Sequence, residues 1–264
     1  MTCPVGSDLR RIVETRTYDS GAVHALGQDV YRSLLASSAD LDAANFNALH
    51  PTDLSRLFDE YDRRFFDAAI TGTLAEGALR FRVSKRMTSA GGRTVRFVPR
   101  GRPEQARYEI SVSTTLLFQC FNGDDHRPIM VSGIRCRDRL EALQRVMEHE
   151  LVHVVEGLLW AHSNCAADRF KSIASRFFDH RRSTHELITP RERALARFGI
   201  EPGVRVRFVL DGVLRVGLVN RVTRRATVLV TDRRGVLFTN GKRYATYYVP
   251  VERLEVVGTG QGQK

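Results

Sequence analysis

Residues 148–160 read EHELVHVVEGLLW, an apolar run broken by His149, Glu150 and His153 in the order H-E-x-x-H. Burying two imidazoles and a carboxylate in such a run is costly unless something compensates. A divalent cation would. Positions i and i+4 lie on one face of a helix a turn apart, so His149 and His153 can present ring nitrogens to one ion. Glu150 falls on the flank, where it can take a proton from a zinc-activated water and later deliver it to a leaving amine. The ion would also polarise the carbonyl under attack and stabilise the oxyanion that forms. The spacing therefore predicts one Zn2+ with His149 and His153 as ligands and Glu150 as general base.

A catalytic zinc needs a third protein ligand and one open position. His162, Cys165 and His180 compete for that place. His162 lies close behind the end of the helix. Cys165 sits in the polar break AHSNCAAD, where a returning segment would approach the metal. His180 ends the next amphipathic stretch and comes level with the ligands if the two helices pair tightly. The sequence does not choose between Cys165 and His180. His185, in RRSTHEL, reads as a group that orients substrate or supports a ligand. Cys120 and Cys136 read as buried thiols.

The elements around the motif can be read from periodicity. Apolar Leu140, Leu143, Val146, Leu151 and Val154 form one stripe of a long helix over 137–160, and RFKSIASRFF forms a second amphipathic helix. Upstream, Leu54, Leu57, Phe58, Tyr61, Phe65 and Phe66 recur at i, i+3, i+4 spacing behind Thr52 as N-cap, a helix that should end near Gly72. ALRFRVSKRMTSAGGRTVRFVP alternates apolar and basic residues around Gly91 and Gly92, which predicts a β-hairpin. ARYEISVSTTLLFQ predicts a strand running into a short helix. This order of elements predicts an α+β domain.

Pro202 and Gly203 mark a change of grammar. Beyond them VRVRFVL, VLRVGLVNRV, RATVLVTD, VLFTNGKRYATYYVP and LEVV read as short strands, with hairpin signals at Asp211-Gly212 and Asn240-Gly241. Five short strands predict a small SH3-like barrel. The expected division is a helical leader at 1–52, a metallopeptidase domain at 53–198, a basic barrel at 199–258 and a tail at 259–264.

The 264 residues can bury a sizeable core. No basic start with an apolar run marks a signal peptide, and no apolar stretch has the roughly 20 residues that cross a bilayer. The four cysteines (Cys3, Cys120, Cys136, Cys165) include no CxxC pair. These features predict a cytoplasmic protein, nucleoid-associated if it meets DNA, with reduced thiols and no membrane partner. A net charge of +11 and pI near 10.1 point to an anionic polymer as partner. Residues 203–264 hold twelve Lys or Arg against four acids, an excess of eight. There Arg221, Arg224 and Arg225, then Lys242 and Arg243, interleave with Tyr244, Tyr247 and Tyr248 as a nucleic-acid surface would.

Over residues 53–190 the chain resembles the SprT-like zinc metalloproteins, relatives of the Spartan proteases that digest proteins crosslinked to DNA. LFDEYDRRFFDAAITGTL resembles the family's opening helix, YEISVSTTLL its strand and turn, RVMEHELVHVVEGLLW its zinc helix, and DRFKSIA the helix after the third ligand. The resemblance implies a zinc peptidase acting on DNA-associated or crosslinked protein, a role in DNA–protein crosslink repair, with His149, Glu150 and His153 as ligand, base and ligand. In one place the chain departs from the pattern. The family takes its third ligand from an HG..F step, and Ala166-Ala167 stand there, preceded by Cys165. Either Cys165 replaces the histidine after a one-residue shift, or His180 arrives by another route, or the site is degraded. Two other functions fit the same residues: a non-proteolytic nucleic-acid-binding factor with structural zinc, and a hydrolase of another amide with a protein-binding barrel.

Overall fold

In the computed structural model, which describes residues 7–38 and 40–257, the chain opens with helices α1 (Ser7–Thr15) and α2 (Ser20–Ser37). The expected tail at 259–264 lies outside the described residues. Asp19 caps α2 by accepting the Ala22 N–H at 2.8 Å. Helix α3 (Pro51–Phe66) starts two residues earlier than predicted, with His50 rather than Thr52 at the N-cap. Pro51 takes the first helical position, where its missing N–H is no loss, and Asp53 accepts the His50 N–H at 2.8 Å. It also ends earlier: Asp67 is left-handed (φ 54°), and the short α4 (Ala69–Thr73) follows as a separate helix.

Strands β1 (Leu79–Ser84) and β2 (Gly92–Phe97) do not form the predicted hairpin. Strand β3 (Arg107–Ser113) lies between them, parallel to β1 and antiparallel to β2. Gly91 and Gly92 are not a turn; Gly92 begins β2, and both pass close to the Val146 side chain. Helix α5 (Thr114–Gln119) follows β3 directly, capped by Ser113. A two-residue turn, Ser132 (φ 53°) and Gly133 (φ 74°), joins β4 (Met130–Val131) to β5 (Ile134–Arg135).

The long helix α6 (Arg139–Trp160) is opened by Asp138, whose carboxylate accepts the Glu141 N–H at 2.8 Å, a cap worth about 1 kcal/mol. Most of it is buried. Arg139, itself buried, donates to the backbone oxygens of Phe46 (2.8 Å) and Cys120 (3.1 Å), which ties the segment before α3 to the end of α5. Gly157 lets β3 approach: a Cβ there would lie 2.7 Å from Tyr108 Cε1. Helix α7 (Asp168–Phe178) returns along α6 and meets α3 through aromatic rings. Phe66 and Phe177 stack at 4.7 Å and Phe178 contacts Tyr61 and Phe65, all fully buried. Truncating one such ring to Ala costs about 3–5 kcal/mol. Strand β6 (His185–Glu186) then pairs with β4.

The chain divides into Met1–Leu187 and Ile188–Lys264. Residues 7–52 thus belong to the first unit rather than to a separate leader. The expected boundary at 198/199 also moves, because helix α8 (Pro190–Phe198) packs in the second unit, its Ala194 in one core with Ile200, Val206, Val219 and Val228. Thr189 and Glu192 form its capping box and Gly199 (φ 64°) ends it.

Strands β7 (Arg205–Leu210), β8 (Val213–Val222), β9 (Ala226–Leu237) and β10 (Arg243–Val249) follow as an antiparallel meander. A single 3-10 turn (Val251–Arg253) leads to β11 (Glu255–Val256), which pairs with β7, giving the open order β10-β9-β8-β7-β11. Asp211 and Gly212 turn β7 into β8 with positive φ at both, as their sequence predicts. The protein is α+β, and no helix among the described residues is long and apolar enough to cross a membrane.

Candidate metal centre

Helix α6 carries His149, Glu150 and His153 to the floor of a cavity of about 400 Å³, also lined by Gly92, Thr94, Cys165, Thr184 and His185. His149 Nε2 and His153 Nε2 are 3.2 Å apart. Two nitrogens bound tetrahedrally to zinc at its usual bond length sit about 3.3 Å apart, so the spacing fits. Burial holds the His149 ring far below the ordinary histidine range, with the neighbouring His185, His153 and His180 adding to the effect, and brings His153 down to about 4. Both imidazoles are therefore neutral at pH 7, the form that ligates.

Glu150 is buried beneath β2. Thr94 Oγ1 donates to its Oε2 at 2.7 Å, and burial, partly offset by Thr94, pushes its carboxyl up to about 8. A Cβ at Gly92 would stand 2.6 Å from Glu150 Oε1 and 2.7 Å from Val146 Cγ1. Only glycine lets the strand pass this close. The sequence displayed the glycine pair, but its message was packing rather than turning.

For the third ligand the geometry separates the candidates. Ligand atoms of His149, His153 and Cys165 lie within 4.8 Å of one another; a second such set joins His149, Glu150 and His185. Only the first contains both motif histidines. In the second, the Gly92 N–H donates to His185 Nδ1 at 3.2 Å, so the neutral ring carries its proton on Nε2 and has no free lone pair there. Burial brings His185 down to about 3, with His180 and His153 adding. His180 is not brought to the motif histidines: its Nε2 lies 2.8 Å from Glu148 Oε2. His162 is exposed on the loop after α6. Cys120 and Cys136 are buried, and burial pushes the Cys136 thiol up to about 12.

Sequence reasoning missed Thr94 and Ser163, whose Oγ lies 2.6 Å from His153 Nδ1. Neither belongs to a motif, and both arrive through tertiary packing.

In the second unit Arg221, Arg224, Arg225, Lys242 and Arg243 are all exposed, but they form two groups rather than one. Arg221, Arg224 and Arg225 flank the β8–β9 turn; Lys242 and Arg243 stand at the far end of β9, across six paired residues or roughly 20 Å. Tyr244 is buried, Tyr247 packs on Phe208 beneath Arg215, and Tyr248 is 68% exposed, so one of the three rings is free to stack on a base. No protein-family model, no curated protein and no solved structure matches this chain.

Proposed function

We propose that the first unit is a zinc-dependent peptidase of the SprT-like type, with His149, His153 and Cys165 as ligands and Glu150 as the proton carrier. The observation that supports it most is the 3.2 Å approach of the two Nε2 atoms beside a buried carboxyl held by Thr94. Zinc, when bound, supplies the Lewis acidity that activates water and polarises a peptide carbonyl. Glu150 takes the proton of the attacking water and passes it to the leaving amine. Thr94 keeps the carboxylate aimed, and the Gly92 backbone closes the site over it. Burial raises the proton affinity of the Glu150 carboxyl, and a cation bound beside it would favour the ionised form that a general base needs.

The second unit we read as an SH3-like module that recruits the peptidase to DNA or nucleoprotein, supported by its charge excess and by the meander with a 3-10 turn before the closing strand. One observation favours a protein partner instead. The β7–β8 tip exposes Val209 (61%), Val213 (50%) and Leu214 (62%). Steep loss of affinity for DNA with rising salt supports the first reading; salt-insensitive or absent binding supports the second.

The deciding experiment compares wild type with Glu150→Gln on a DNA-bound protein substrate, with zinc measured in both. We expect equal zinc and a fall in cleavage of about 100-fold or more in the variant. A wild type that holds zinc yet cleaves no better than Glu150→Gln with any DNA form would leave the non-proteolytic reading.

A further inference from the structure

Three residues after His153, Glu156 lies fully buried on the same helix. A carboxylate is costly there unless every oxygen is used. Its Oε2 accepts the Ser163 hydroxyl at 2.6 Å and the Asn164 N–H at 3.3 Å, and its Oε1 accepts Arg169 Nε–H at 2.7 Å. Arg169 also donates from Nη2 to the His162 carbonyl at 3.2 Å, and its guanidinium lies 4.4 Å over the Trp160 ring. Ser163, Asn164 and the His162 carbonyl belong to the loop 161–167 that carries Cys165, Trp160 precedes it, and Arg169 stands in the first turn of α7 after it.

Ser163 has one hydroxyl proton, and it goes to Glu156. Toward His153 Nδ1, 2.6 Å away, Ser163 Oγ can then only accept. His153 must carry its proton on Nδ1 and its lone pair on Nε2, the nitrogen that faces His149 Nε2. Without the carboxylate the hydroxyl is free to donate to Nδ1, which moves the ring proton to Nε2 and abolishes the lone pair.

We propose that Glu156 is the positioning residue of the metal centre: through Ser163 it sets which nitrogen of His153 is free, and through Asn164 and Arg169 it clamps the loop that delivers Cys165. The proposal rests on the assignment of His149, His153 and Cys165 as ligands. It gives one buried carboxylate control over two ligands that are far apart in kind, a helix histidine and a loop cysteine. Carboxylates placed behind metal-bound histidines usually govern affinity by 10- to 100-fold.

The test measures zinc dissociation constants for wild type, Glu156→Gln, Glu156→Asp and Ser163→Ala, with the thiolate-to-cobalt charge-transfer absorption of each Co2+ form. We expect Glu156→Gln to weaken zinc 10- to 100-fold and to lose most of the thiolate band, with Glu156→Asp partly restoring both. Ser163→Ala should weaken zinc about 10-fold but keep the band, because the loop clamp survives. A purely structural Glu156 would lower the melting temperature of the metal-free protein and leave zinc affinity unchanged. That result overturns the proposal. Should Glu156→Gln fail to fold, Ser163→Ala alone decides it: unchanged affinity overturns the relay. A wild type that takes up no metal overturns this proposal and the peptidase together, whereas one that binds zinc without cleaving anything removes only the peptidase.

Discussion

His180 Nε2 lies 2.8 Å from Glu148 Oε2, with both side chains buried. Tyr61 donates to the same carboxylate at 2.6 Å and Arg145 Nη1 at 2.8 Å. His180 therefore serves a buried ion pair. We expect His180→Ala to lose about 1–3 kcal/mol of stability by stripping one hydrogen bond from a buried carboxylate, and to retain full zinc stoichiometry. Chemical denaturation and metal analysis check the two halves.

The same carboxylate sets a pH dependence. Burial alone would raise the Glu148 carboxyl, but the Arg145 charge and the hydrogen bonds from His180 and Tyr61 outweigh it and hold it below the ordinary value. A folded-state value below the unfolded one stabilises the protein above about pH 4.3, and that contribution is lost as pH falls through the folded value. Glu148→Gln should be less stable at pH 7, by about 1–3 kcal/mol as the half-buried Arg145, Tyr61 and His180 lose their carboxylate partner, and should lack this acid-driven loss. Melting temperatures from pH 3 to 7 decide it: parallel curves for both proteins refute the assignment.

Cys165 and His185 are separated by affinity. Cys165→Ser should weaken zinc on the order of 100-fold or more, since a thiolate ligand is lost. His185→Gln should change it only a few-fold, because the Gly92 N–H already occupies the ring's acceptor nitrogen. Competition titration against a chromophoric chelator measures both. Equal losses would put His185 in the ligand set.

Thiol reactivity gives an independent readout. At pH 8 a thiol pushed up to about 12 is ionised to roughly one part in ten thousand, so Cys136 should resist iodoacetamide in the folded protein. Cys165, half-buried in the cavity, should be alkylated without zinc and protected with it. Peptide mass spectrometry reports each site. Protection of Cys165 that ignores zinc would count against it as a ligand.

Gly92→Ala puts a methyl group 2.6 Å from Glu150 Oε1. We expect about 1–3 kcal/mol of destabilisation and a sharp fall in any hydrolytic activity with zinc still bound. Gly91→Ala, whose nearest neighbour is Val146 Cγ2 at 3.0 Å, should be milder. Thermal melts and turnover on one substrate compare the two.

Long periodic elements were legible in the sequence: α3, α6 and α7 follow their apolar stripes, and the strands of the second unit follow their alternation. The motif triplet was legible because helix pitch alone brings i and i+4 together. Strand order was not, because nothing local says that β3 enters between β1 and β2. The first unit's second sheet was also hidden, since β4, β5 and β6 are two residues each and carry no periodicity. The third-ligand question turned on where the segments after α6 deliver His162, Cys165 and His180, which spacing cannot report. Glu156 looked like one more polar residue on a helix until its neighbours were known.

His185 reaches the cavity through a ladder only two residues long, Val131 opposite His185 and Met130 opposite Glu186. Side chains alternate along a strand, so a shift by a single residue would swing the imidazole out and turn its acidic neighbour in. A one-residue deletion between 179 and 184 would thus replace a proton donor with an anion beside Glu150, changing the character of the cavity while leaving every residue of the motif in place.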